Sequence, residues 1–439
     1  MPTVWISNAY TNDGVRVSAY DDDYAPAGCN PLAAAGSTLP GCVQQAIADA
    51  PLTSAKIDFI APSFEWPETE ALNIVYQREL QNDWNFTSTY LYAKQEEALY
   101  KIIDGSPLVG DQPQVPTLTA PDGRPIYDQQ GNGTYKAGLY NDCCGTRNIL
   151  SFTFDKVFND GDGRFSVSYT NQDIEELSGM TSSTSNSNFG KTGAIDYNNR
   201  IAMRSIYETE HRLLATLSNK YYFFGEDKPT TFTLIFERKS GLPAYATFDT
   251  YQKASWGGAS GYKQNAFGYE FNLNDDSSSL LYIPSGYDDP LICWSKNCAE
   301  EGSAEAAANA DLVLNHLYDT LGLEKYAGSI APRGSLQFPY QSTLDLKIKQ
   351  VLPGFRPDDE VVITLGIENL LNMLNDEWGV IEYGYYSGRI PVIDLKIVDG
   401  KYEYDGLDAF GYDIEDPMNT NISFTQSVWR AQLGFVYKF

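Results

Sequence analysis

The chain has 439 residues, with 31 Lys plus Arg against 58 Asp plus Glu and a formal net charge of −27. Phosphate recognition needs a basic footprint, so this balance argues against nucleic acid as a partner. Hydrophobic residues at 42% and charged residues at 20% are close to globular usage, which excludes an acidic disordered tail and leaves enough apolar surface for a core.

Aromatics reach 13%, with 31 Tyr, 21 Phe and 7 Trp. Rings of this kind collect at interfaces. No window of about 18 apolar residues occurs, which excludes a transmembrane helix. The start Met1-Pro2-Thr3-Val4-Trp5 has no basic segment followed by an apolar one, so no signal peptide is read there. The expectation is either a cytosolic protein or a chain whose true N-terminus is missing.

In chain order, nine segments alternate apolar and polar residues at the period of two expected for strands. Leu72, Ile74 and Tyr76 come first, then Trp84, Phe86, Tyr90 and Tyr92. Leu150, Phe152 and Phe154 follow, and next Phe165, Val167 and Tyr169. Leu213, Ala215 and Leu217 form the fifth run, and Phe232, Leu234 and Phe236 the sixth. Leu344, Leu346 and Ile348 alternate with Asp345, Lys347 and Lys349. The last two runs are Val361 to Ile367 and Leu433, Phe435, Tyr437 and Phe439.

The connections alternate in length. Gln81 to Asp83, Asn159 to Gly163, Gly225 to Pro229 and Leu352 to Asp359 read as tight turns, rich in Gly, Asp and Pro. Between them lie long segments at about 103–145, 176–207, 240–337 and 373–424. Short turns on one side and long loops on the other are what an outer-membrane barrel needs, whereas a soluble sandwich has no reason to sort its loops. A strand of about 11 residues tilted about 45° rises about 25 Å, the height of the apolar band. The expected fold is therefore all-β, a transmembrane antiparallel barrel with apolar residues toward lipid. Asp345, Lys347, Lys349, Glu368 and Arg430 would face the lumen. The long segments read as too polar to provide a second apolar layer. Residues 1–67 are read as an extracellular loop region and 68–439 as barrel strands with their loops.

Within the third long segment, Ser303 to Leu321 reads as a helix closed by Gly322, packed over the barrel mouth. The stretch Leu280-Leu281-Tyr282-Ile283-Pro284 reads as extended.

The six cysteines are Cys29, Cys42, Cys143, Cys144, Cys293 and Cys298. None forms a C-x-x-C pair, and only His211 and His316 are available as imidazole ligands, so no zinc site is expected. Polar loop surroundings suggest local disulfides in an oxidising compartment, Cys29 with Cys42 and Cys293 with Cys298. Cys143 and Cys144 would form a vicinal pair or have partners elsewhere.

His211 beside Glu208 and Glu210 invites a general-base reading, but these residues open a strand and no nucleophile motif stands near them. No G-x-S-x-G, P-loop, G-x-G-x-x-G or H-E-x-x-H motif occurs. No catalytic residue, cofactor or metal site is expected. The acidic clusters at Asp21 to Asp23, Asp275-Asp276, Asp288-Asp289 and Asp358-Asp359 match no EF-hand spacing and read as solvated loop charge.

The run Val428 to Phe439 resembles the terminal strand of an outer-membrane barrel. The resemblance implies that Phe435, Tyr437 and Phe439 are read by the barrel-assembly machinery. Ile367-Glu368-Asn369-Leu370-Leu371-Asn372 with Trp378-Gly379 resembles the N-L-L-N…W-G segment of TonB-dependent receptors. Further pieces are similar to the Oar-like branch of that family. They are Pro2 to Asn8, Glu208 to Arg212, Ser240 to Pro243, Leu281 to Pro284 and Leu344 to Leu346.

The resemblance implies a 22-stranded barrel around an N-terminal plug, with a TonB box ahead of the plug driving import. This chain shows neither plug nor TonB box and only nine clear strands. It is therefore expected to be the C-terminal barrel part of a larger receptor in the outer membrane of a Gram-negative bacterium. Its expected partners are outer-membrane lipid, the assembly machinery, an unknown extracellular ligand, and TonB only through the missing plug. A structural or adhesive surface barrel without transport is the alternative, and a soluble all-β binding protein comes third.

Overall fold

The computed structural model describes residues 4–5, 57–102, 116, 118–126, 136–180, 182, 185–190, 192–249, 279–356, 358–384, 387–407, 409 and 412–439. Each of the nine alternating runs falls in a strand. They are β1 Thr69–Glu79, β2 Trp84–Ile102, β3 Lys136–Phe158, β4 Gly163–Glu176 and β5 His211–Tyr221. β6 Thr230–Lys239, β7 Gln341–Pro353, β8 Glu360–Glu368 and β9 Arg430–Lys438 complete the set. The nine pair antiparallel in chain order, each with the next. Among the described residues, β1 pairs only with β2 and β9 only with β8, so both outer edges are open.

Antiparallel partners directly opposite one another share a face, so the register sorts the side chains. Phe165, Leu217, Leu234, Leu346, Ile367 and Ala431 lie in one row across β4 to β9. One residue away along each strand, Arg164, Ser218, Thr233, Lys347, Gly366 and Gln432 form the matching row on the other face. Every strand contributes to this division, giving one apolar and one polar face. Among the described residues, no second layer covers the apolar face. Leu72 and Phe435 are 53% and 67% exposed, Phe152 and Leu346 are half-buried, and none of the four belongs to a buried cluster.

The connections sort by end. Residues 80–83, 159–162, 222–229 and 354–359 turn at one end, where Asn82, Asp83, Asn159 and Asp160 take left-handed backbone that Asn and Asp tolerate. Residues 103–135, 177–210, 240–340 and 369–429 cross at the other. The first long loop is shorter than its sequence suggests, because Lys136–Gly145 continues β3. There β2 and β3 stay paired through a register shift between Gln95 and Glu96. The irregular run Gly138 to Gly145 hides that pairing from a period-two reading. Strand lengths accordingly run from 9 to 23 residues rather than clustering near one membrane height.

The described parts of the long connections fold into a compact cap. They contribute nearly all of the main buried cluster, including Phe248, Trp294, Tyr402 and Tyr404, and Tyr245 belongs to a smaller cluster with Met203, Ile206 and Leu280. The connections build a core of their own, which the reading of them as too polar to provide a second layer over the sheet did not foresee. Their apolar residues are scattered among Ser, Asn and Asp and come together only through non-local pairing. Pro243–Asp249, buried throughout, runs parallel to Arg389–Asp394, and Ile292–Cys293 runs parallel to the strand Lys401–Glu403. Helix α1, Ala304–Asn315, begins where the Ser303 hydroxyl accepts the Ala306 N–H at 3.0 Å. It continues through a π turn to Thr320 and stops before Gly322 at φ +65°, a conformation glycine adopts freely. Ala306, Ala310, Val313 and Leu317 form its buried stripe. No described helix is long and apolar enough to cross a membrane.

Candidate functional site: the polar face and its folded rim

The five residues expected to face a lumen lie on one face of the sheet. Asp345, Lys347 and Lys349 alternate along β7, and Glu368 sits opposite Arg430 across β8 and β9. The Arg430 guanidinium is 2.8 Å from the Glu368 carboxylate, with both side chains more than half exposed, so the pair contributes about 0–1 kcal/mol. The Asp345 carboxylate accepts the Asn369 N–H at 2.8 Å. Hydroxyls pair across the same face, Thr153 with Ser168 at 3.0 Å and Ser218 with Thr233 at 3.1 Å. The arrangement offers cations and hydroxyls to a bound surface. It places no nucleophile beside a base.

Above β8 the Asn-Leu-Leu-Asn…Trp-Gly segment folds on itself. Asn369 adopts left-handed backbone at φ 51° between β8 and the short helix Leu370–Leu374. Its buried amide donates to the Gly379 carbonyl at 2.8 Å and to the Ser427 carbonyl at 2.6 Å. Asn372 donates to the carbonyls of Asp376 and Trp378, both at 3.1 Å. Gly379 has φ +64°, and a Cβ there would run into the Asn369 side chain. The motif thus ties the end of β8 to the approach to β9. In β9, Phe435 and Tyr437 lie on the apolar face opposite Ile363 and Val361. Phe439 follows them, almost fully exposed. The Tyr437 hydroxyl donates to the Asp359 carboxylate in the turn below.

Glu208 to Arg212 forms a brace at the rim. Arg204 reaches Glu208 and Glu210 at 2.6 Å each, and Glu208 accepts the Ile174 N–H at 2.6 Å. Burial raises the Glu208 carboxyl above its ordinary value, against the hydrogen bonds from Ile174 and Arg204. His211 opens β5, its Nδ1 is 2.8 Å from the Tyr169 hydroxyl, and its backbone N–H donates to the Ser240 hydroxyl at 3.2 Å. Arg333 is the residue that pattern reading missed. Buried to 1% exposure, its guanidinium donates to the carbonyls of Glu176, Leu177, Gly193, Met203 and Arg204. It joins the top of β4 to the cap. An arginine in a loop with no local partner gives no sequence signal.

In the cap, Arg124 forms a buried pair with Asp122 at 2.6 Å and lies over the Phe248 ring. Asp289, read as solvated charge, is instead buried. Burial disfavours its carboxylate, but the N–H groups of Ser285 and Leu291 and the hydroxyls of Tyr282 and Ser285 outweigh this and hold its carboxyl below the ordinary range. Asp359 is likewise buried in its turn. His316, in the π turn after α1, is buried against the Tyr412 hydroxyl, and burial lowers its pKa.

Cys293 is bonded to Cys298 and Cys143 to its neighbour Cys144. The Cys29 to Cys42 pairing, and the clusters Asp21 to Asp23 and Asp275-Asp276, lie outside the described residues. Among the described residues no group of three or more His, Cys, Asp or Glu is placed to hold a metal. An open cleft of about 680 Å³ lies between the turns after β1 and β3, lined by Glu79, Asp83, Trp84, Lys156 and Asp160 among others. A smaller one of about 340 Å³ lies beside the Cys293–Cys298 loop on the cap. No protein-family model matches the chain, and no curated protein matches it.

Proposed function

We propose that this chain is the C-terminal barrel part of a TonB-dependent outer-membrane receptor that takes up a scarce ligand. The carrying observation is the continuous apolar face that no layer of the described residues covers. Left in water, such a face would be an aggregation surface, whereas in hydrocarbon it is solvated. The sorted connections and the alternating aromatic residues of β9 support the same reading.

Strand direction adds a constraint. β1 and β9 both run toward the short-turn end, so closure by antiparallel pairs alone takes an odd number of further strands between them. Thirteen would complete the 22 that the family resemblance implies. In that setting the polar face lines the interior, and the cap stands at the ligand entrance outside the cell. The 22-stranded closure, the outer-membrane location, the assembly signal at Phe435, Tyr437 and Phe439, and the plug and TonB partners all belong to this reading.

The test is deletion of the full-length gene in its host, followed by uptake assays under nutrient limitation. Loss of growth or uptake on at least one limiting nutrient is expected, and unchanged uptake on all of them contradicts transport. A surface adhesin without transport is the second reading, favoured by a cap with its own core and a disulfide-closed loop. A plug with a TonB box encoded in frame upstream supports transport, and a signal peptide joined directly to strands supports the adhesin.

A further inference from the structure

Two disulfides lie among the described residues, and they differ in access. Cys293, in the bond to Cys298, is fully buried in the cap. Cys143, bonded to its neighbour Cys144, is exposed, and Cys144 is half-buried. Exchange with a thiol in solution requires access to a sulfur, which Cys143 offers and Cys293 does not.

The exposed pair sits where sheet becomes cap. Gln95 of β2 lies opposite Gly145 and Glu96 opposite Cys143, so Cys144 is the extra residue of a β-bulge. On one side of it, residues 146–158 pair with both β2 and β4. On the other, residues 136–139 pair with β2 and with the strand Ile57–Ile60, which runs parallel to them. Phe59, Leu99, Ala137 and Tyr140 are buried there.

Both flanks depend on that one extra residue. A Cβ at Gly145 would run into the Glu97 carboxylate, and one at Gly138 into the Phe59 ring. A one-residue slip would bring Cys144 or Thr146 into the first place and Ala137 or Leu139 into the second, and would turn each side chain to the opposite face. The Glu97 carboxylate, which accepts the N–H groups of Leu177 and Ser178 at 3.0 and 3.2 Å, would then be pushed off the end of β4. A bond between consecutive side chains closes a small ring and restricts the backbone of both residues, so it holds the bulge at Cys144.

We infer that the Cys143–Cys144 bond is a thiol-exchange site, at which a low-molecular-weight thiol releases the bulge and loosens the cap half of β2 and β3. The incoming thiolate attacks Cys143 Sγ. A new S–S bond forms there as the Cys143–Cys144 bond breaks, and Cys144 leaves with the electron pair and takes up a proton. Attack by the Cys144 thiolate on the mixed disulfide expels the thiol and restores the pair, so the step is reversible and needs no other oxidant or reductant. The device uses only the β2–β3 pairing and holds for a transporter and an adhesin alike.

The test treats the full-length protein in host membranes briefly with excess cysteamine, then blocks free thiols with N-ethylmaleimide before peptide mapping without reductant. Cysteamine should be found on Cys143 and maleimide on Cys144, with Cys293–Cys298 opening severalfold more slowly. Hydrogen exchange should quicken at residues 97–102 and 136–142 and at Leu177 and Ser178, and stay unchanged at residues 146–158. A C143S/C144S variant should show the same quickened exchange before any thiol is added and no further change after it. Where that variant does not fold, the unsubstituted protein decides the matter. Opening of both disulfides at one rate, cysteamine on Cys144 in place of Cys143, or unchanged exchange once the pair is open overturns the assignment.

Discussion

The sheet and the cap solve the same problem in opposite ways. In the cap, apolar groups are hidden by protein. Tyr245, Trp294, Tyr402 and Tyr404 are all but fully buried, and Asp289 and Arg333, brought in with them, find donors and acceptors. In the sheet, apolar groups are aligned but not hidden, and Leu72, Ile74, Leu433 and Phe435 remain more than half exposed. The cap carries its own apolar interior, whereas the described sheet leaves its apolar face uncovered. On the proposed reading one chain joins a region built for water to a region built for hydrocarbon, and the two meet at Arg333, Asn369 and the Arg204 brace.

Breaking that junction should separate the two regions. The largest effect is expected for Arg333→Ala, which leaves five backbone carbonyls without their donor. The cap should lose about 3–5 kcal/mol, read as early loss of near-ultraviolet circular dichroism while the sheet's far-ultraviolet signal persists. Simultaneous loss of both signals would show that the regions are not separable. Asn369→Ala removes two donor contacts at the rim and should cost about 2 kcal/mol. Hydrogen exchange should quicken around Trp378 and Ser427 and stay unchanged in the cap interior.

The smallest effect concerns pH. Unfolded histidine titrates near 6.5 and burial holds His316 below that value. The neutral form is therefore the one the fold favours, and the stability it contributes is complete above about pH 6.5 and lost as pH falls through the folded pKa. The cap's melting temperature should drop on acidification from pH 7.5 to 5.5, and His316→Gln should flatten that slope. An equally steep slope in the variant would remove His316 as the cause.

The sheet was legible because its physics is local. Alternation at period two places Leu346 and Lys347 on opposite faces whatever lies elsewhere in the chain, and Asn-Asp-Gly turns announce their own geometry. All nine strands and helix α1 follow from such patterns. What stayed hidden is non-local: the parallel pairing of Tyr245 with Arg389, the carbonyl cluster around Arg333, and the β2–β3 extension past a register shift. Asn369 lies between. Its motif was visible as a resemblance, but that its amide ties Gly379 to Ser427 needed coordinates. The placement of Asp345, Lys347, Lys349, Glu368 and Arg430 on one face was readable from alternation, while the bulge at Cys144 became visible only when the register set Glu96 opposite Cys143 and Gln95 opposite Gly145.

The account rests on which solvent each face meets, and unfolding free energies of the full-length protein in lipid bilayers measure this most directly. Leu346→Arg should cost about 2–4 kcal/mol and Lys347→Leu, one residue along β7, less than about 1 kcal/mol. Equal costs at the two positions, or the larger cost at Lys347, would contradict the assignment of the apolar face to hydrocarbon.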